Sequence, residues 1–197
     1  MNCAACNDKK CFQENKDCTG ERYEITHLYA DTYYATIMAA AAEVEAEGYA
    51  NLTRVEELIE FSKKMGYRKL GIAFCVGCAQ EAKILQEILE CHFIIDSVCC
   101  KVCGIEKSVF GLKTVRQNPR ETICNPIGQA AVLNQDGTDL NVIVGLCLGH
   151  DILFTKNSAA PVTTLMVKDR VLANNPAGIF YSPYWQYKLK AKQNKSA

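Results

Sequence analysis

The sequence has no surplus of charge of either sign, because 22 lysines and arginines balance 22 aspartates and glutamates. A neutral chain offers no electrostatic footprint for nucleic acid or an anionic membrane as dominant partner, so neither is expected. No apolar run is long enough to cross a bilayer. The opening, MNCAACNDKKC, lacks the basic-then-apolar order of a secretory leader. These absences predict a protein of the cytoplasm. A GxGxxG fingerprint and a GxxxxGK[ST] loop are both missing, which leaves dinucleotide or P-loop nucleotide binding without positive support. Internal repeats and long linkers are missing too.

What the chain has in quantity is cysteine, twelve in 197 residues. In a reducing compartment so many thiols point to metal ligands or reactive thiols rather than to a disulfide scaffold. A few can serve as small core residues, but that role does not account for twelve.

The pattern along the chain predicts a cysteine-rich segment over 1–22 and an α/β domain over 23–197. The domain divides into a helical pair (23–67), a parallel-sheet core (68–170) and an aromatic C-terminal segment with a basic tail (171–197). The first helix is expected from about Ile25 to Glu47, stopped by Gly48. The second opens on Thr53, with Glu56 placed to complete a capping box and Val55, Leu58, Ile59 and Met65 on one face. From residue 69 strands and helices alternate. KLGIAF, FIIDSVCC, LNVIVGLCL and PVTTLMVKD read as strands. A helix near 79–90 is expected to turn Ile84, Leu85, Ile88 and Leu89 inward. Asn125 is placed to cap a helix with Pro126 at its first position, and a short helix is expected from His150 to Lys156. Near-continuous apolar strands separated by helices predict an all-parallel sheet covered on both faces. Right-handed crossovers make it a doubly wound, Rossmann-like or flavodoxin-like α/β fold of about four strands.

Ligands of such sheets bind beyond the carboxyl ends of the strands, and the later cysteines map there. Cys75 and Cys78 follow the first strand; Cys99, Cys100 and Cys103 follow the second. Cys147 follows the third, with His150 and Asp151 close behind, and Cys124 stands just before a helix start. Neighbouring strands lie about 4.8 Å apart, so thiols from adjacent strand ends can share one centre. Helix N-termini at the same rim favour thiolates or an anionic cluster. Thiolate-rich sites select zinc or iron–sulfur clusters. The surplus of thiols over one closed zinc favours iron–sulfur, although no ferredoxin spacing is present. Cys75, Cys78, Cys100, Cys103, Cys124 and Cys147 are therefore the expected cofactor-binding set. Cys147 and His150 are the candidates for chemistry, with His150 as ligand, proton donor or plain helix-start residue.

The N-terminal quartet, Cys3, Cys6, Cys11 and Cys18, has the form C-x2-C-x4-C-x6-C in a segment with no core of its own, and metal binding is the natural source of order. It can close around one tetrahedral zinc or one [4Fe–4S] cluster, and the spacing does not separate them. Other residues read more plainly. Cys91 is expected to be a buried thiol beside a surface His92, His27 a surface or packing residue, and Asp151 a helix cap. Cys99 points away from Cys100 and suits the core. The stretch NNPAGIFYSPYW suits an aromatic patch closing against the sheet, or a lid. Lys188, Lys190, Lys192 and Lys195 suit a frayed, solvated tail.

The motifs SVCCKVCGIEK, CNPIGQAAVLNQDGTDLNVIVGLCLGHD and APVTTLMVKDRVLANNPAG, with the N-terminal quartet, resemble a family of uncharacterised conserved metal-binding proteins of mainly anaerobic bacteria and archaea. The resemblance covers nearly the whole chain. It implies one metal group at Cys3, Cys6, Cys11 and Cys18, and motif positions at Cys100, Cys124, Cys147 and His150. The anaerobic setting favours iron–sulfur. The sequence is thus expected to encode an iron–sulfur redox protein, an oxidoreductase or reductase among the options, with an unidentified redox partner protein. A metal or sulfur carrier with a structural zinc, and a small-molecule-binding regulatory module, are the alternatives. The alanine-rich helix is suited to pairing in a homodimer or to packing on its own sheet.

Overall fold

The structure is a computed structural model and describes residues 1–115 and 120–193. The chain forms two compact units, Met1–Asn51 and a second beginning at Leu52. All twelve cysteines are free thiols. No helix among the described residues is long and apolar enough to cross a membrane.

The first unit holds α1 (Lys10–Gln13), α2 (Arg22–Leu28) and α3 (Thr32–Gly48). The single helix expected from Ile25 to Glu47 is in fact two. Asp31 breaks it, because its carboxylate accepts from the backbone N–H groups of Tyr33 (2.9 Å) and Tyr34 (3.3 Å) and starts α3 afresh. Two other carboxylates order the residues before α2. Asp8 accepts from Lys10 N and pairs with Lys16 Nζ at 2.8 Å. Asp17 accepts from the N–H groups of Thr19, Gly20 and Arg22, and these bonds hold its pKa down at about 2.

The second unit starts with α4 (Arg54–Lys64), which opens on the expected reciprocal Thr53–Glu56 capping box and buries Leu58 and Ile59. Then follow β1 (Lys69–Phe74), α5 (Ala79–Leu89), β2 (Ile94–Cys99), α6 (Pro126–Asp136), β3 (Leu140–Val144), α7 (His150–Asn157), β4 (Val162–Met166) and α8 (Pro183–Gln193). The four strands form one all-parallel sheet in the order β2-β1-β3-β4, so the doubly wound α/β reading holds. Its direction reverses between the β1–β2 and β2–β3 crossovers. Right-handed connections therefore place α5 on one face and α6 with α7 on the other, and α6 does pack on α7.

β1 and β3 are the interior strands and carry the core: Leu70, Ile72, Ala73, Val142, Ile143 and Val144 are buried. Gly71 lets them approach, since a Cβ there would lie 2.0 Å from Asn141 Oδ1. Asn141 itself is buried and satisfied, accepting from Thr138 Oγ1 and donating to Ser158 Oγ, both at 2.8 Å.

Three local expectations need correction. On α5 the inward residues are Ala82, Leu85 and Leu89, whereas Ile84 and Ile88 are exposed. The apolar set of that helix is wider than the stripe the sheet covers. The aromatic C-terminal stretch does not close against the sheet: Phe180, Tyr181 and Tyr184 are exposed, on a short 3-10 segment (Pro176–Tyr181) and the start of α8. The basic residues Lys188 and Lys190 are helical rather than frayed. Lys188 Nζ lies 4.4 Å from the Trp185 ring centroid, a cation–π contact. Lys195 falls outside the described residues.

Candidate functional site

The carboxyl ends of β1, β2 and β3 gather five thiols, and the backbone fixes three of them side by side. Cys75 follows β1, and its N–H donates to Val144 O on β3 at 3.1 Å. Cys100 follows β2, and its N–H donates to Phe74 O at 2.8 Å. The register carries on from the Phe74–Cys99 pair, so Cys75 and Cys100 are strand-end neighbours. The chain returns to the same place at Cys124, where Asn125 N donates to Cys100 O at 2.7 Å. Asn125 fixes that return. Its Oδ1 caps α6 through Gly128 N at 2.9 Å and its Nδ2 donates to Val102 O at 3.3 Å.

Gln129, one turn into α6 and fully buried, ties the two strand ends together. Its Nε2 donates to Phe74 O (3.1 Å) and Val98 O (2.6 Å). Its Oε1 is buried with no hydrogen-bond partner among the described residues.

The three thiols form a hydrogen-bonded chain with Cys100 at its centre. Cys100 bonds to both Cys75 and Cys124, and these bonds lower the pKa of Cys75 and of Cys124 to about 5 while raising that of Cys100. Val76 N–H also donates to Cys100 Sγ at 3.3 Å. The amide of Gly77, Lys168 and Arg170 help to lower Cys75, and Lys101 and His150 help to lower Cys124. Burial opposes the shift at both.

Three of the rim thiols, Cys124, Cys78 and Cys147, each face a cation. Lys101 Nζ lies 3.4 Å from Cys124 Sγ and also donates to Thr122 O. Lys168 Nζ lies 3.0 Å from Cys78 Sγ, and Arg170 Nη2 lies 3.0 Å from Cys147 Sγ. These contacts raise the pKa of both basic groups. Gly145, at φ +68°, lets Cys78 in, because a Cβ there would sit 2.4 Å from its Sγ.

The residues singled out in the sequence divide accordingly. Cys75, Cys78, Cys100, Cys124 and Cys147 meet at the rim, and His150 opens α7 there, its N–H bonded to Cys147 O at 2.9 Å. Asp151 stands in the first turn of α7 and accepts from Gly149 N at 2.8 Å, a helix-start role. Cys103 is exposed on a left-handed turn (φ 69°). Cys99 is half-buried against the core. Cys91 is exposed rather than buried, because it stands one residue beyond the glutamate that caps α5, and its thiol bonds back to Glu87 O. His27 packs edge-on against Tyr23.

In the N-terminal quartet Cys3, Cys11 and Cys18 are exposed and Cys6 is half-buried. Lys16 lies close enough to Cys6 and Cys18 for both to raise its pKa, behind the larger effect of Asp8. Among the described residues no group of three or more His, Cys, Asp or Glu side chains is arranged to hold a metal ion.

Sequence reasoning missed Lys101, Gln129, Lys168 and Arg170. Two were within reach: Lys168 and Arg170 follow β4 directly, so the rule that placed the thiols at the rim places these cations there as well. The double strand-end contact of Gln129 had no sequence signal.

A family model described as a protein of unknown function, DUF1847, matches residues 11–165. An uncharacterised protein of Methanocaldococcus jannaschii is 53% identical over 190 residues, covering 96% of this chain and 98% of that protein. No solved structure matches the chain.

Proposed function

The chain belongs to the DUF1847 family of proteins of unknown function, and we propose that it is an iron–sulfur redox protein with two separate thiol groups. The N-terminal quartet holds a cluster for electron transfer, and the rim cysteines react as thiols. The observation that carries the reading is the gathering of Cys75, Cys100 and Cys124 at the strand ends, with cations 3.0–3.4 Å from the sulfurs of Cys124, Cys78 and Cys147. Such a setting generates nucleophilic, redox-active sulfur. A core filled with cysteine for packing alone has no use for cations placed 3.0–3.4 Å from sulfur.

The two groups differ in what already satisfies them. The rim sulfurs are bonded to protein donors, and sheet and helix fix their positions. The quartet stands in a segment ordered by Asp8 and Asp17, without a core, and three of its thiols face solvent. Cys3, Cys6, Cys11 and Cys18 suit a soft cation by their chemistry. A [4Fe–4S] cluster on them would supply one-electron transfer to or from a partner protein in a reducing cytoplasm.

The test is to purify the protein without oxygen and to count iron, acid-labile sulfide and zinc. The counts are made in the wild type, in Cys11→Ser/Cys18→Ser and in Cys100→Ser. About four irons with matching sulfide, lost from the quartet variant and kept in the rim variant, is the expected result. One zinc without sulfide would replace the cluster by a structural metal and leave a thiol or sulfur carrier. Iron lost from the rim variant would move the cluster to the sheet edge.

A further inference from the structure

We propose that Cys124 and Cys100 are the attacking and resolving thiols of a disulfide-reducing couple, with Cys75 as the group that takes the Cys100 proton. This inference rests on reading the rim as a thiol redox centre, and it assigns that centre a substrate class: disulfides, of a protein or of a small thiol.

The assignment stands first on the order of burial. Cys124 is half-buried and is the member of the chain open to a reagent, whereas Cys75 and Cys100 are 6% and 2% exposed. Cys100 stands beside Cys75 at the ends of paired strands, with its N–H bonded to Phe74 O at 2.8 Å and its Sγ accepting from Val76 N–H at 3.3 Å. The Asn125 N to Cys100 O bond of 2.7 Å holds the backbones at Cys124 and Cys100 together, as the narrow Cα range of a disulfide requires. Lys101, with Nζ 3.4 Å from Cys124 Sγ, stabilises the attacking thiolate. The low pKa of Cys124 and the raised pKa of Cys100 agree with this division: one sulfur is ready to attack, and the other becomes a nucleophile only when its proton has somewhere to go.

The steps balance. The Cys124 thiolate attacks a disulfide RSSR, forming Cys124–S–S–R and releasing RS⁻. Cys100 passes its proton to the Cys75 thiolate, and its sulfur attacks Cys124 Sγ. The Cys100–Cys124 disulfide forms and the second RS⁻ leaves. The substrate gains two electrons, the dithiol loses two, and the proton rests on Cys75. The substrate disulfide is the oxidant.

The experiment treats the full-length, anaerobically reduced protein with oxidised glutathione, traps the remaining thiols with N-ethylmaleimide in acid, and maps the products by peptide mass spectrometry. The wild type should give a Cys100–Cys124 disulfide. Cys100→Ala should stop at a glutathione adduct on Cys124, and Cys124→Ala should give no rim adduct. Cys75→Ala should still form the adduct on Cys124 but resolve it at least tenfold more slowly, and Cys75→Asp, which restores a proton acceptor, should recover part of that loss. A rim disulfide between another pair, or resolution untouched by Cys75→Ala, overturns this inference and leaves a thiol redox rim standing. A rim that takes up no glutathione and forms no disulfide overturns that reading as well, whatever the metal count of the quartet.

Discussion

Replacing Cys100 by alanine removes the proton donor that Cys75 and Cys124 share, and the consequence can be worked through. Both thiols lie at about 5 against an ordinary 9.0, and for both the largest cause is the bond from Cys100. A hydrogen bond to a charged group contributes about 1.5–3 kcal/mol. At about 1.4 kcal/mol per pH unit, its loss should raise each midpoint by about 1–2 units. The rest of the depression survives, because the Gly77 amide, Lys168 and Arg170 still face Cys75, and Lys101 and His150 still face Cys124. Cys100→Ser keeps an O–H donor and should fall between alanine and wild type. The assay is thiolate absorbance near 240 nm against pH on metal-free reduced protein, with iodoacetamide labelling and peptide mapping to assign each midpoint. A thermal melt of each variant checks that the fold is retained. If Cys100→Ala leaves both midpoints where they were in a folded protein, the shared proton is not what activates these thiols.

Three further outcomes follow from the same structure. The folded values of Cys75 and Cys124 lie below the unfolded one, so the unfolded chain binds more protons between about pH 5 and 9.0. The reduced protein should therefore gain stability as pH rises through that window and lose this share as pH falls through about 5. Cys100, shifted upward, acts in the opposite sense, its share being present below 9.0 and lost at higher pH; urea melts across pH 5–9 that are flat, or slope downward, would count against the arrangement. Gln129→Leu removes the amide that bridges the carbonyls of Phe74 and Val98, and should cost about 1–3 kcal/mol in urea unfolding while speeding alkylation of Cys75 and Cys100 relative to the other buried thiols. Gly145→Ala forces a methyl onto Cys78 Sγ at a positive φ. It should cost about 1–3 kcal/mol, and it should lower the nucleophilic reactivity of Cys78 as that thiol is pushed away from Lys168.

Much of this arrangement was legible in the chain because it depends on short-range signals. KLGIAF coincides with β1, the Thr53–Glu56 box opens α4, and Asn125–Pro126 opens α6. Once the strands were placed, their carboxyl ends followed, and with them the gathering of Cys75, Cys78, Cys100, Cys124 and Cys147. What stayed hidden depends on competition or on distance. Asp31 offers the backbone a cap inside an otherwise helical run. Ile84 and Ile88 are apolar but lie beyond the width of the covered stripe. Cys103 follows a strand like its neighbours, yet a left-handed turn carries it outward. The approach of Cys100 to Cys75 and Cys124, the cations beside Cys124, Cys78 and Cys147, and the Gln129 bridge join residues far apart in the chain, and no window of sequence contains both partners.

The strand order has a consequence for how the protein is made. β1 is synthesised first of the four strands, yet it lies inside the sheet, and the register partner of Leu70 is Leu140. Until β3 has emerged from the ribosome, β1 has one neighbour at most, and the strand ends that hold Cys75 and Cys100 have no finished wall beside them. Parallel pairings over such separations form slowly. During that interval the eleven thiols that precede β3 are open to one another and to oxidants, and any of many wrong pairs can form. The molecule should therefore refold well only with a reductant present, and its yield in an oxidising host should fall long before the stability of the finished fold does.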